Sequence, residues 1–210
     1  MKNKTPDFAY HMTKFFTEYL PIQRNLSPNS IATYRDTFRL LLLFYDTEKH
    51  IKPNLLTLDM INVQQIEDFM LWLKKERNCG ASTCNQRLGA LKSFFRYLQF
   101  ALPDCALQCQ ENLAIRPMKQ PEPGLKYLTI DGIKLLLEQP DIKTKYGRRD
   151  LAILSLMYDT GARVQEIADI KIVHIRFSAP ATIRITGKGD KTRVVPLLSR
   201  TEDILKQYIK

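Results

Sequence analysis

Cysteine and histidine are scarce in this sequence, and what little there is lies scattered. Among 210 residues there are four cysteines and three histidines. Cys79, Cys84, Cys105 and Cys109 form no Cys-x-x-Cys pair, so neither a zinc ribbon nor a disulfide framework is indicated. The thiols read as reduced and structural or incidental, and no metal or cofactor is expected. Long apolar runs are missing too. The longest, Leu40 to Tyr45, is far too short to cross a bilayer. The N-terminus opens Met-Lys-Asn-Lys, unlike a secretory signal, so a cytoplasmic address without a membrane partner is the default expectation. There is no low-complexity tract and no internal repeat, and an apolar fraction of 44% is ordinary for a chain that buries a core. Acidic residues are in deficit, 22 against 32 lysines and arginines, for a net charge of +10. Such an excess favours a polyanionic partner, most often nucleic acid. It is uneven: 14 basic against 11 acidic residues over 1–115, and 18 against 11 over 116–210.

Four helical patterns fill the first hundred residues, each with apolar residues at three- and four-residue spacing. The first runs from about Asp7 to Leu20, with Phe8, Met12, Phe15, Phe16 and Tyr19 on one face, and Pro21 is expected to end it. The second opens at Ser27-Pro28, a cap followed by proline in the first turn. A third follows Asn62 and closes at Asn78-Cys79-Gly80, and a fourth runs from Ser82 towards Pro103. Residues 1–115 therefore read as a four-helix bundle. Three prolines between Arg116 and Gly124 preclude a regular helix and suggest an extended linker over 116–125. In 126–210 the pattern is mixed. A capped helix over Thr129 to Glu138, an apolar helix ending at Thr160-Gly161 and a short helix from about Val164 to Ile170 come first. Strand-like runs at Ala181 to Thr186 and Thr192 to Leu197 then flank a glycine-bearing turn, which predicts a β-hairpin, and a helix from Thr201 follows.

The informative segment is Asp159-Thr160-Gly161-Ala162-Arg163-Val164-Gln165-Glu166-Ile167. About twenty residues later comes Gly187-Lys188-Gly189-Asp190-Lys191-Thr192-Arg193-Val194-Val195-Pro196-Leu197. In this order and at this distance, the two motifs resemble those of the tyrosine recombinases, the family of phage integrases and Xer-like enzymes. Tyr127-Leu128-Thr129, Arg149 to Leu154, Leu26 to Tyr34 and Arg87 to Leu98 extend the resemblance over nearly the whole chain. It implies a mainly α protein of two domains. The first is a SAM-like core-binding bundle that grips DNA, and the second is the N-terminal part of an α+β catalytic domain.

The physical logic agrees with that resemblance. Cleaving a phosphodiester with an internal nucleophile builds charge on the non-bridging oxygens, which a guanidinium can meet with two parallel bonds. Arg163 fits the task, and a glycine-preceded helix start would add its own partial positive end. A lysine at a hairpin tip can deliver the proton that the departing 5′-oxygen needs. Lys188 matches the family's general-acid lysine. Glu166, three residues after Arg163, could orient the guanidinium. Lys191 is expected to bind backbone phosphate and Arg193 to contact DNA, and Arg35, Asn85, Arg87, Lys92 and Arg96 are candidate DNA contacts in the first domain.

The family's second arginine, its histidines and its tyrosine nucleophile find no match. His174-Ile175-Arg176 has the wrong spacing and precedes Lys188, and Tyr208 follows the hairpin too soon. These residues are therefore expected to bind a double-stranded recombination site without cutting it, as a monomer, whereas the complete enzyme would act as a homotetramer on DNA. Arg163 alone would read as a surface partner of Glu166 or Asp159, and the hairpin alone as a solvated turn. A non-catalytic DNA-binding regulator and a basic RNA- or protein-binding domain are the competing readings.

Overall fold

The computed structural model describes residues 7–120, 124, 127–187 and 189–210. Lys188, the expected general acid, lies outside the described residues. The chain divides into two compact units, Met1–Pro123 and Gly124–Lys210.

The first unit is all helical. Helix α1 (Phe8–Lys14) continues without a break into a wider π-helical stretch, Phe15–Gln23, which carries Pro21 inside it. The expected stop at Pro21 is thus a widening instead. Proline has no N–H to donate and its ring crowds the carbonyl four residues back, and an i→i+5 register relieves both. The Arg24 amide accordingly donates to the Tyr19 carbonyl at 2.9 Å. Helix α2 (Pro28–Glu48) starts at the Ser27 cap and α3 (Val63–Lys75) at the Asn62 cap, each with the cap side chain accepting from the amide three residues on. Helix α4 (Ala81–Ala101) follows. A further helix, α5 (Ala106–Ala114), was not foreseen.

The core of this unit is aromatic. Phe8, Phe15, Phe38 and Phe94 interlock, with Phe94 edge-on to Phe15 and to Phe38 at centroid distances of 5.2 Å. Helix α5 is held by polar rather than apolar anchors. The fully buried Asn112 donates to the Ile61 carbonyl at 2.8 Å, and Gln108 donates to Leu58 and Ile61. Those carbonyls lie in the α2–α3 connection, at the start and just past the end of a short 3-10 turn, Leu58–Met60. All four cysteines are reduced, and burial pushes the Cys109 thiol up to about 11.

In the second unit, α6 (Ile130–Glu138) starts at the Thr129 cap, and α7 (Lys145–Thr160) ends on Gly161 in the left-handed region at φ 60°. Helix α8 (Val164–Ala168) and α9 (Ser199–Ile209) flank a three-stranded antiparallel sheet of order β1-β2-β3. Its strands are β1 (Ile175–Arg176), β2 (Thr182–Thr186) and β3 (Thr192–Pro196). Ile183 and Ile185 face a small core with Ala152, Leu156, Ala162, Ile167 and Leu205, while Arg184 and Thr186 between and beside them stay exposed.

Because Phe94 sits in contact with rings from three other segments, Phe94→Ala should lower unfolding free energy by about 3–5 kcal/mol. Urea denaturation followed by circular dichroism checks this, and a loss under about 1 kcal/mol would mean that the aromatic cluster is not the unit's core.

Candidate active site

The second unit's site is assembled by where α7 is made to stop. The left-handed Gly161 turns the chain out of α7, and the Thr160 hydroxyl accepts from the Ala162 amide at 3.2 Å. Arg163 then falls at the cap of α8 in extended conformation. Its side chain is 78% exposed, whereas that of Glu166, one turn on, is 5% exposed. A buried carboxylate needs compensating donors. Glu166 has three: the Arg163 amide at 3.0 Å, Arg163 Nη1 at 3.0 Å and Arg193 Nη2 at 2.8 Å. The Arg193 guanidinium, then the Arg163 amide and then the Arg163 side chain hold this carboxyl down at about 2.

The hairpin closes onto this cluster. Gly187 donates to the Lys191 carbonyl at 2.9 Å, and Gly189 and Asp190 take left-handed conformations at the tip. A Cβ on Gly187 would stand 2.6 Å from Glu166 Oε1, so only glycine lets the hairpin base approach the carboxylate without displacing it. On the return side the Leu198 amide donates to Asp159 at 2.8 Å, tying the end of β3 to the last turn of α7. Asp159 is thereby engaged with backbone and is not the partner of Arg163.

The remaining expected residues fall in different settings. Lys191 is exposed on the turn. Arg193 was read as a DNA contact, but it pairs with Ile185 across the sheet and so shares the inward face, where it meets Glu166. The signal that could have found this is the register, since opposite residues on paired strands share a face. The helix-end contribution expected at Arg163 is slight, because α8 has only five residues, and the Arg163 amide just before it already donates to Glu166. In the first unit, Arg35 and Arg96 are exposed. Three other candidates are engaged within the unit. Asn85 donates to and accepts from the Met118 backbone at 2.9 and 2.7 Å, Lys92 donates to the Ile115 carbonyl, and Arg87 pairs with Asp36 at 2.8 Å. Met118 lies in the expected linker, so that stretch is at least partly fastened to α4. Among the described residues there is no cluster of side chains suited to a metal ion, and no helix is long and apolar enough to cross a membrane.

Comparison with known proteins gives this geometry a family. Residues 14–100 match the phage integrase N-terminal SAM-like domain, and residues 126–210 match the phage integrase family. The chain belongs to the tyrosine recombinases. It is 35% identical over 207 residues to a protein of Sinorhizobium fredii named as integrase/recombinase y4rC, covering 99% of this chain and 62% of that one. With the tyrosine recombinase XerD of Listeria innocua it shares 30% identity over 197 residues, covering 93% of this chain and 63% of the relative. The chain thus spans rather less than two thirds of these curated relatives. Among solved structures, the Tn1549 transposon integrase in complex with a circular intermediate DNA aligns with a TM-score of 0.68 at 12% identity, covering 93% of this chain and 64% of that one. The XerH site-specific recombinase bound to its difH substrate aligns at 0.60 with 22% identity, covering 89% and 53%. These two likenesses establish the recombinase fold.

The Glu166 ion pairs carry a definite pH dependence. The carboxyl titrates near 4.5 when unfolded and about 2 when folded, so its contribution is complete above 4.5 and is lost as pH falls towards 2. Thermal melts at pH 7, 4 and 3 should show the wild type losing stability over that window, with Glu166→Gln less stable at pH 7 and falling less steeply on acidification. Parallel curves for the two proteins would contradict the assignment.

Proposed function

We propose that these residues grip a duplex recombination site and present Arg163 to the phosphate at which a tyrosine recombinase exchanges a phosphodiester for a 3′-phosphotyrosine. The observation that carries this reading is the state of Arg163. Its guanidinium is exposed, while a buried carboxylate fixes one end of it beside the base of the hairpin. A fork held at one nitrogen is pre-aimed with the rest open to solvent, as an incoming phosphate oxygen requires. The recombinase family supplies the reaction class, which needs no nucleotide because the bond energy is stored in the protein–DNA link.

In this reading Lys188 protonates the departing 5′-oxygen, and Lys191, Arg35 and Arg96 add backbone phosphate contacts. None of the nine tyrosines in the sequence serves as the nucleophile. Tyr208 borders a mostly apolar groove with Ala152, Ile153 and Leu205, and it follows the hairpin too soon to match the family's tyrosine. In the full-length form the nucleophile, the second arginine and the histidine complete the site and four copies assemble on paired sites, whereas these 210 residues act as a monomer.

Two measurements test the reading. Mobility shifts should show duplex DNA bound in preference to duplex RNA of the same length, with an affinity that drops steeply as salt rises. Equal binding of RNA would favour a general basic domain. A suicide substrate, nicked so that cleaved DNA stays attached, should yield no covalent adduct with this chain. An adduct would show that one of its own tyrosines is a nucleophile.

A further inference from the structure

Arg193 sits where a DNA-binding side chain would be wasted. It lies opposite Ile185 in the β2–β3 register, on the inward face of the hairpin, and its Nη2 donates to Glu166 Oε2 at 2.8 Å. The same oxygen accepts from the Arg163 amide, and Oε1 accepts from Arg163 Nη1. One buried carboxylate is thus shared by two guanidinium groups, one exposed and one half-covered, on two different elements. We propose that Arg193 is a positioning residue, which holds Glu166 from the hairpin side so that Arg163 is oriented without being neutralised. This rests on the reading of Arg163 as the phosphate-holding group.

The charge balance makes the case. Were Glu166 paired with Arg163 alone, its full charge would fall on the one guanidinium meant for phosphate, and the two would compete for it. With Arg193 donating to one oxygen, the cluster of one carboxylate and two guanidinium groups keeps a net charge of +1, and that surplus appears at the exposed Arg163. Geometry requires the same arrangement. Arg193 reaches Glu166 over Gly187, whose missing side chain leaves the opening, since a Cβ there would stand 2.6 Å from Glu166 Oε1. Besides the apolar core that the hairpin and α8 share, one carboxylate therefore links the hairpin to the residue that opens α8. A change at Arg193 should be felt at Arg163, although no hydrogen bond joins the two arginines directly.

The test uses the 210-residue chain with its arginine guanidinium nitrogens labelled with 15N, observed by NMR as duplex DNA is added, together with mobility shifts over a range of salt. In the unmutated chain the Arg163 signal should move on adding duplex while the Arg193 signal stays in place. In Arg193→Gln the Arg163 response should be lost, the slope of log affinity against log salt should fall by about one as that phosphate contact goes, and Arg193→Lys should restore part of both. A residue that merely stiffens the hairpin would leave the Arg163 response intact. An Arg193 signal that moves as far as that of Arg163, or a salt slope smaller by about one in Arg193→Gln while the Arg163 response stays intact, would make it a phosphate contact and overturn the proposal. The first of these needs no variant, so it decides the matter even if Arg193→Gln fails to fold. Equal Arg163 responses in the unmutated chain and in Arg193→Gln would overturn the positioning role alone. An Arg163 signal indifferent to duplex in the unmutated chain would refute the phosphate-holding reading and the positioning role together.

Discussion

A carboxylate taken out of water must be met by donors, and in this protein the second unit is arranged around that requirement at Glu166. Three donors converge on it from the start of α8 and from β3. Left with fewer, the buried charge would be strongly destabilising, because the desolvation cost remains when a partner is removed. The strand register that turns Arg193 inward, the bare backbone at Gly187 and the left-handed Gly161 each serve to bring a donor to that carboxylate. Arg163 ends up exposed yet fixed because its partner is buried and itself held by three donors.

The first unit solves a different problem. It has no charge at its centre but a stack of aromatic rings, and its polar interior contacts serve the backbone. Asn112 and Gln108 bind carbonyls of the connection between α2 and α3, and Asn85 and Lys92 fasten the chain that leaves α5. A surface that grips a polyanion must offer cations that the fold does not itself use. In this unit Arg35 and Arg96 are exposed in that way, whereas Arg87 is engaged with Asp36.

Much of the fold was legible because its boundaries are set by local chemistry. Ser27, Asn62 and Thr129 each cap the helix that their residue type and position announced, and the turn between Thr186 and Thr192 closes the hairpin that alternation predicts. What escaped depends on tertiary partners. Helix α5 carries little apolar periodicity of its own, since Asn112 and Gln108 anchor it to carbonyls some fifty residues away in sequence. Pro21 was a reasonable stop, but the surrounding aromatic packing of Phe15, Phe16 and Tyr19 keeps the helix going in a wider register. In the site, the pairing of Arg163 with Glu166 follows from helical spacing, whereas the third member is separated by 27 residues and is visible only through sheet register. Charge alone marks Arg193, Lys92 and Arg87 as surface cations; hydrogen bonding shows them engaged with the protein itself.

The proposed contact between Arg163 and one phosphate of the duplex is best examined by scanning the bound duplex with single neutral methylphosphonates while following the 15N guanidinium signal of Arg163. The account predicts one position on the contacted strand at which neutralisation abolishes the Arg163 response, with the response surviving at the others. A response that persists at every position, or that fades evenly along the duplex, would contradict it.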